Sequence, residues 1–194
     1  MYRKLALMMQ MSSSIINTNS LKRLMQKEKV FTHQMIIRTA NLEDLDAIAE
    51  VEAKCFPVSE AATRESFEGR LKFYASHFWL MFDGEKLISF VDALVTNDKD
   101  LTDYMYSHPE LHDENGAWQM IFGVNTLPEY RNHGYAGELI TRAIHDAHEQ
   151  GRKGLVLTCK AEKVNYYAKF GFINEGISNS NHGGAVWYQM RLKF

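Results

Sequence analysis

The chain has 194 residues, 45% hydrophobic, 12% aromatic and 24% charged, enough for one compact domain. This composition excludes a mainly disordered chain, a collagen-like repeat and a disulfide-stapled mini-protein. The net charge of -2 averages two unlike segments: residues 1–34 hold six basic side chains against Glu28 alone, for +5, whereas 35–194 hold 16 basic and 23 acidic, for -7.

Residues 1–34 contain five of the ten methionines, no Gly or Pro, and a polar tract from Ser12 to Ser20. Leu5–Met11 is short, contains Gln10 and lacks a small-x-small cleavage site, so it makes a poor secretory signal. The segment reads as a basic extension outside the fold, with Leu21–Lys29 able to form a short helix. A mitochondrial presequence is the second reading. Met35-Ile36-Ile37-Arg38 opens the first well-patterned strand, which places one domain over 35–194.

From there the pattern alternates. Leu42, Leu45, Ile48, Ala49 and Val51 follow helical spacing, with Asn41 as N-cap and Pro57 as the stop. Ser59 offers the next N-cap, for a helix over Ala61–Lys72 with Phe67, Leu71 and Tyr74 on one face. Phe78–Phe82 and Lys86–Val95 are β-rich and joined by Asp83-Gly84, a hairpin signal. Asp92 shares a face with Phe90 and Leu94, an odd place for a carboxylate without a partner.

Asn97–Gly116 is acidic and irregular, predicted as a surface excursion with a short helix around Leu101–Ser107. Trp118–Val124 reads as a strand. Gly134–Gln150 is the clearest helix, with Leu139, Ile140, Ala143, Ile144 and Ala147 as its apolar stripe. Leu155–Cys159 is a strand, Val164–Phe170 a helix, and Phe172–Ile177 with Ala185–Leu192 a closing hairpin. The order predicts an α/β (α+β) domain with a mixed, largely antiparallel central sheet flanked by helices.

Cys55 and Cys159 are too few for a disulfide framework and read as free thiols in a reducing compartment. No apolar run reaches the ~18–20 residues of a membrane span. The expectation is a cytoplasmic protein without a membrane partner. The acidic body disfavours affinity for nucleic acid.

The strand Ile121-Phe122-Gly123-Val124 leads through a short linker to Tyr130-Arg131-Asn132-His133-Gly134-Tyr135-Ala136-Gly137 and the long helix. A helix opening on glycines presents unpaired N–H groups and the positive end of its dipole, which can bind phosphate without a lysine. A plain strand-to-helix turn with Arg131 solvated is equally open from this segment alone. Neither a G-x-G-x-x-G fingerprint nor a P-loop is present.

Downstream, Tyr166-Tyr167-Ala168-Lys169-Phe170-Gly171-Phe172 ends in an aromatic-Gly-aromatic step. Arg131-x-x-Gly134-x-Ala136, an amphipathic helix, a short strand and Tyr167-x-x-Phe170-Gly171-Phe172, in that order, resemble the GNAT superfamily of acetyl-CoA-dependent N-acetyltransferases over about residues 35–194. Cys55-Phe56-Pro57-Val58-Ser59-Glu60-Ala61-Ala62 and Leu157-Thr158-Cys159 are similar to arylalkylamine N-acetyltransferases and their bacterial relatives.

The resemblance implies acetyl-CoA as co-substrate. Arg131, Asn132, His133, Gly134, Tyr135, Ala136 and Gly137 would surround its pyrophosphate, and Phe122, Gly123 and Val124 would offer backbone to the pantetheine arm. Tyr167 matches the tyrosine that protonates the leaving sulfur, with a core aromatic as the alternative. Phe56, Pro57 and Trp187 match positions around the acceptor side chain, with ordinary packing as the alternative. Asp92 joins them as a candidate for the acceptor ammonium, a structural Asp being the alternative.

The two histidines of the animal enzymes align with Trp118 and Met120, so that relay is absent and the general base stays unassigned. The linker Asn125–Tyr130 is about two residues longer than the family spacing. Glu60 either faces the acceptor or serves the following helix. His145 and His148 lack an acid or cysteine to complete a metal set, so no metal is expected. His108, His112 and His182 are loop residues without an assigned role.

The expected reaction is direct acetyl transfer, in a ternary complex, to a small-molecule primary amine: an aryl or alkyl amine, or a polyamine. The acids of 97–116 either draw in such a cation or form a solvated loop. A non-catalytic acyl-CoA-binding regulatory module is the other reading. Pairing of closing strands in relatives makes a homodimer a family-level expectation.

Overall fold

The structure, a computed structural model, describes residues 35–194. The extension expected over 1–34, with its Leu21–Lys29 helix, lies outside the described residues. Seven strands, β1 (Met35–Thr39), β2 (Phe78–Asp83), β3 (Lys86–Thr96), β4 (Trp118–Thr126), β5 (Gly154–Cys159), β6 (Ile173–Ile177) and β7 (Tyr188–Lys193), form one sheet. Their order is β1-β2-β3-β4-β5-β7-β6, antiparallel at every step except β4–β5. The expected mixed, largely antiparallel sheet is therefore the one observed.

Asn41 acts at the expected helix start. Its side chain accepts the Glu43 N–H at 2.8 Å, and Asp44 Oδ2 accepts the Asn41 N–H at 2.9 Å. This reciprocal cap opens a 3-10 turn, Leu42–Asp44, before α1 (Leu45–Cys55). The second helix, α2 (Arg64–Tyr74), starts later than expected. Thr63 rather than Ser59 is its N-cap, accepting the Ser66 N–H at 3.2 Å, because the N–H groups of Glu60 and Ala61 are engaged by the Pro57 carbonyl. In the β2–β3 hairpin Asp83 pairs with Lys86, so the loop is Gly84-Glu85. Gly84 has φ 61°, as a type II′ turn needs at its first central position.

Alternation along β2 sends Trp79 and Met81 to one core and Phe78 and Leu80 to another, on opposite sheet faces. The first core receives Leu139, Ile140, Ala143 and Ala147 from α3 (Tyr135–Glu149). The second receives Leu45, Ile48 and Val51 of α1 with Phe67, Leu71 and Tyr74 of α2.

The 97–116 segment is the expected surface excursion over Asn97–Asp100 and Asp113–Asn115, which are exposed, but it is anchored between them. Two 3-10 turns, Asp103–Ser107 and Pro109–Leu111, replace the single short helix. Leu101 and Met105 bury against Trp118, Met120 and Val156, which gives the segment a core of its own. Two of its acids are also committed: Asp100 meets Arg191 at 2.6 Å and Glu114 meets Arg152 at 3.1 Å. Among the described residues no helix is long and apolar enough to cross a membrane.

Candidate active site

The parallel ladder between β4 and β5 runs from the Trp118–Gly154 pair to the Ile121–Leu157 pair and stops. Beyond it β4 continues to Thr126 paired only with β3, while β5 continues to Cys159 paired only with β7. The strands therefore part, and the backbone of 122–126 on that side is left without a ladder partner. A bulge reinforces this. Asp92 pairs with Gly123 and Ala93 with Ile121, so Phe122 is the extra residue of β4.

Three cavities follow this split. One, of about 270 Å³, lies in the gap between Phe122, Val124, Leu157 and Cys159. Another, of about 380 Å³, extends toward Arg131, Asn132, Gly134, Tyr135 and Ala136. The last, of about 360 Å³, extends toward Glu52, Asp92, Asp103 and His182. Phe56 lines all three, and the gap cavity shares Phe122 and Trp187 with the last and Val124 and Tyr167 with the second, so they lie side by side along the split.

At the Arg131 end, Asn132 has φ 66° and Gly134 has φ 90°. This turn delivers the chain into α3 with Gly134 as N-cap and no side-chain cap. The first helical bond is Glu138 N–H to Gly134 C=O at 3.0 Å, which leaves the N–H groups of 135–137 as free donors. Arg131 is exposed and donates from Nε to the Thr126 carbonyl at 3.1 Å. His133 is exposed beside the Tyr135 ring and does not line the cleft. Gly137 turns inward instead: a Cβ there would stand 3.1 Å from the Phe170 ring. Half of the long Asn125–Tyr130 linker is strand or buried, with Leu127 in the core.

Midway, Tyr167 lines both the gap and the Arg131 side. It is carried by the short helix α4 (Val164–Ala168). Burial raises its phenol above the ordinary value, so it remains a proton donor at neutral pH. Phe56, Pro57 and Trp187 come together at the gap, and Lys160 Nζ lies 5.6 Å from the Trp187 ring centroid.

The far end is built from charge. Asp92 is not unpartnered, as the strand pattern suggested: Arg70 of α2 reaches it at 2.9 Å with both side chains buried. The second Arg70 amine donates to the Tyr106 carbonyl at 3.1 Å, tying the 97–116 segment over the cavity as a wall. Glu60 meets Lys160 at 2.7 Å. His182 shares a 2.9 Å bond between Nε2 and the Glu60 carbonyl, which fixes Nε2 as the protonated nitrogen.

Glu52 completes this end, and sequence reasoning passed over it. It is 5% exposed, its Oε1 accepts the Ala62 N–H at 2.9 Å, and burial pushes its carboxyl up to about 7. A signal existed. Glu52 stands four residues after Ile48 and seven after Leu45, on the apolar stripe of α1. Arg70, three after Phe67 and four before Tyr74, carried the same signal on α2.

Trp118 and Met120 are buried among Leu101, Met105 and Val156 and offer the cleft no proton acceptor. His145 and His148 are exposed on α3, each beside an acid of its own helix. Elsewhere, His77, His112 and Glu114 bring three ligand-type atoms within 4.8 Å of one another. The Val95 N–H donates to His112 Nδ1 at 3.3 Å, so the proton sits on Nε2 and points at Glu114. A protonated nitrogen cannot ligate, and the trio is a hydrogen-bond network.

The model of the acetyltransferase (GNAT) family matches residues 45–172. Among solved structures the chain is similar to the loading GNATL domain of CurA from Lyngbya majuscula, at 15% identity and a TM-score of 0.71 over 82% of this chain and 98% of that one. It is similar to the GphF GNAT-like decarboxylase in complex with isobutyryl-CoA, at 19% identity and 0.69 over 81% and 98%. The PaiA N-acetyltransferase from Thermoplasma acidophilum, in complex with coenzyme A, aligns at 17% identity and 0.62 over 83% and 99%. At these identities the structures speak for the fold alone. A search of curated proteins by sequence gave no match.

Proposed function

The chain belongs to the GNAT acetyltransferase family, and from that premise we propose that it transfers an acetyl group from acetyl-CoA to a small primary amine. The observation that carries this reading is the row of adjoining cavities along the β4–β5 split, with free helix N–H donors at one end and carboxylates at the other. The residues fit the co-substrate. The 135–137 N–H groups suit a pyrophosphate, and the unladdered 122–126 backbone suits the amides of a pantetheine arm. Gly123 keeps that wall thin, since a Cβ there would stand 2.6 Å from Asp92 Oδ1.

Acetyl-CoA supplies an activated thioester carbonyl; the chain supplies position and proton traffic. A backbone N–H of the Phe122–Val124 stretch is available to stabilise negative charge developing on an oxygen in the gap. Tyr167 is placed to give its hydroxyl proton to a leaving sulfur. Phe56, Pro57 and Trp187 form an apolar wall suited to an aryl or alkyl group, and Asp92, although paired with Arg70, adds to an end where Glu52 and Asp103 leave carboxylates in excess, which favours an ammonium. Kinship with arylalkylamine N-acetyltransferases, direct ternary-complex transfer, a homodimer and a cytoplasmic location, which free Cys55 and Cys159 suit, are parts of the same reading. Residues 1–34 are dispensable in it.

The test is thermal protection by acetyl-CoA, followed by thiol release with aryl amines, alkyl amines and polyamines, on the full chain and on a variant lacking 1–34. Protection with release on at least one amine, in both forms, is the expected result. Protection without release would leave a binding module, and no protection would remove the CoA reading.

A further inference from the structure

The charged end of the cleft contains one acid with a buried accepting atom that makes no hydrogen bond of ordinary geometry. Glu52 Oε2, Arg70 Nε and both side-chain atoms of Asn125 are buried with no hydrogen-bond partner among the described residues. Such a concentration of unsatisfied buried groups is costly in the absence of a ligand or ordered water. Asn125 Nδ2 would lie 3.0 Å from a Cβ on Gly123, so the unsatisfied amide stands at the point where β4 leaves β5.

The other titratable groups of this end are engaged. Asp92 faces Arg70 and Glu60 faces Lys160. Asp103 accepts from Ser180 Oγ and from the Asn181 N–H. The Tyr106 hydroxyl faces Thr158, and His182 spends its Nε2 proton on the Glu60 carbonyl. Glu52 has one oxygen fixed by the Ala62 N–H and the other beside the Asn125 amide, without a hydrogen bond of ordinary geometry.

We infer that Glu52 is the general base of this chain, receiving the proton of the acceptor amine on Oε2. The assignment rests on the acetyl-transfer reading of the cleft. Burial supports it by holding the carboxyl at about 7, where it exchanges a proton readily at neutral pH; Asp92 adds to the rise, and the Ala62 N–H, Arg70 and the Asn125 amide offset it.

The acceptor arrives as an ammonium and gives one proton to the Glu52 carboxylate, which becomes a carboxylic acid. The freed nitrogen lone pair forms the N–C bond while the C–S bond breaks. The sulfur takes the Tyr167 proton, and the second nitrogen proton returns through solvent to the tyrosinate. Glu52 then releases its own proton to water.

The experiment compares the parent with Glu52→Gln and His182→Gln across pH. Glutamine can still accept the Ala62 N–H, and acetyl-CoA protection against heat reports that the fold and cofactor end are intact. Glu52→Gln is expected to lower kcat/KM for an alkyl amine by about 100-fold or more at pH 7 and to abolish the acidic limb near that pH. Anilines, already unprotonated at neutral pH, should be acetylated by Glu52→Gln at near-parental rates, which a merely structural role would not produce. His182→Gln should keep the limb.

A limb that persists in Glu52→Gln, or one lost in His182→Gln instead, would overturn the assignment alone. So would a carbon-13 carboxyl titration placing Glu52 near its ordinary 4.5. Absence of thiol release by the parent on every amine would overturn the transfer reading and this assignment with it.

Discussion

Arg70 Nη1 stands 2.9 Å from Asp92 Oδ2, and the pair joins α2 to β3 with both side chains out of contact with solvent. Breaking one side of such a pair leaves a buried charge with no counterpart, which costs about 3–5 kcal/mol. Arg70→Met should destabilise the fold by that order in urea unfolding. The Arg70→Met/Asp92→Leu double substitution should recover most of the loss, because it removes both charges. Additive losses in the double variant would show that the pair is not the unit that matters.

Glu52 carries a stability cost with a definite sign. Its carboxyl sits at about 7 when folded against an ordinary 4.5, so the folded chain binds that proton more tightly than the unfolded one. The contribution is fully present below about pH 4.5 and is lost as pH rises through 7, by about 3 kcal/mol in all. Glu52→Gln should therefore unfold at higher urea than the parent at pH 8 and at a similar concentration at pH 5. Equal midpoints at pH 8 would mean the carboxylate is solvated rather than buried.

Much of the fold was legible because it depends on local signals: Asn41 capping, Gly84 at the hairpin, the α3 stripe from Leu139 to Ala147. The glycine-bearing turn at Arg131–Gly134 was legible for the same reason. The charged end was not. Asp92 read as an isolated charge on an apolar face, Glu52 and Arg70 were passed over, and only the packing of α1, α2 and β3 brings the three to one cavity. His182 lies 122 residues from the Glu60 carbonyl it contacts, a separation that no periodicity reports. The parting of β4 from β5 was hidden too, since it is set by register and by the Phe122 bulge rather than by a breaker residue.

Gly123 tests that parting directly. A methyl group there would approach Asp92 Oδ1 to 2.6 Å and Asn125 Nδ2 to 3.0 Å. Arg70 holds the aspartate, so the clash cannot be relieved by rotating a free side chain. Gly123→Ala should cost about 1–3 kcal/mol of stability and weaken the thermal protection given by acetyl-CoA. Gly84→Ala, at a turn with open space around it and away from the cleft, should lose stability while keeping that protection. Equal protection in both variants would detach Gly123 from the binding wall.

Tyr167 separates chemistry from binding. Its ring is held edge-on to Phe172 at 6.1 Å between centroids and to Tyr166 at 5.2 Å. Phenylalanine can keep both contacts and the shape of the gap. The missing hydroxyl removes only the proton offered to the sulfur, so Tyr167→Phe should lower kcat by about 100-fold or more with little change in acetyl-CoA affinity. Burial keeps the phenol protonated beyond its ordinary value of 10, so the parent should show no loss of kcat from this group between pH 7 and 10. Thiol release followed from pH 6 to 10 in both proteins reads both effects. Parental turnover in Tyr167→Phe would return Tyr167 to the role of a packed aromatic and leave the sulfur to take its proton from solvent.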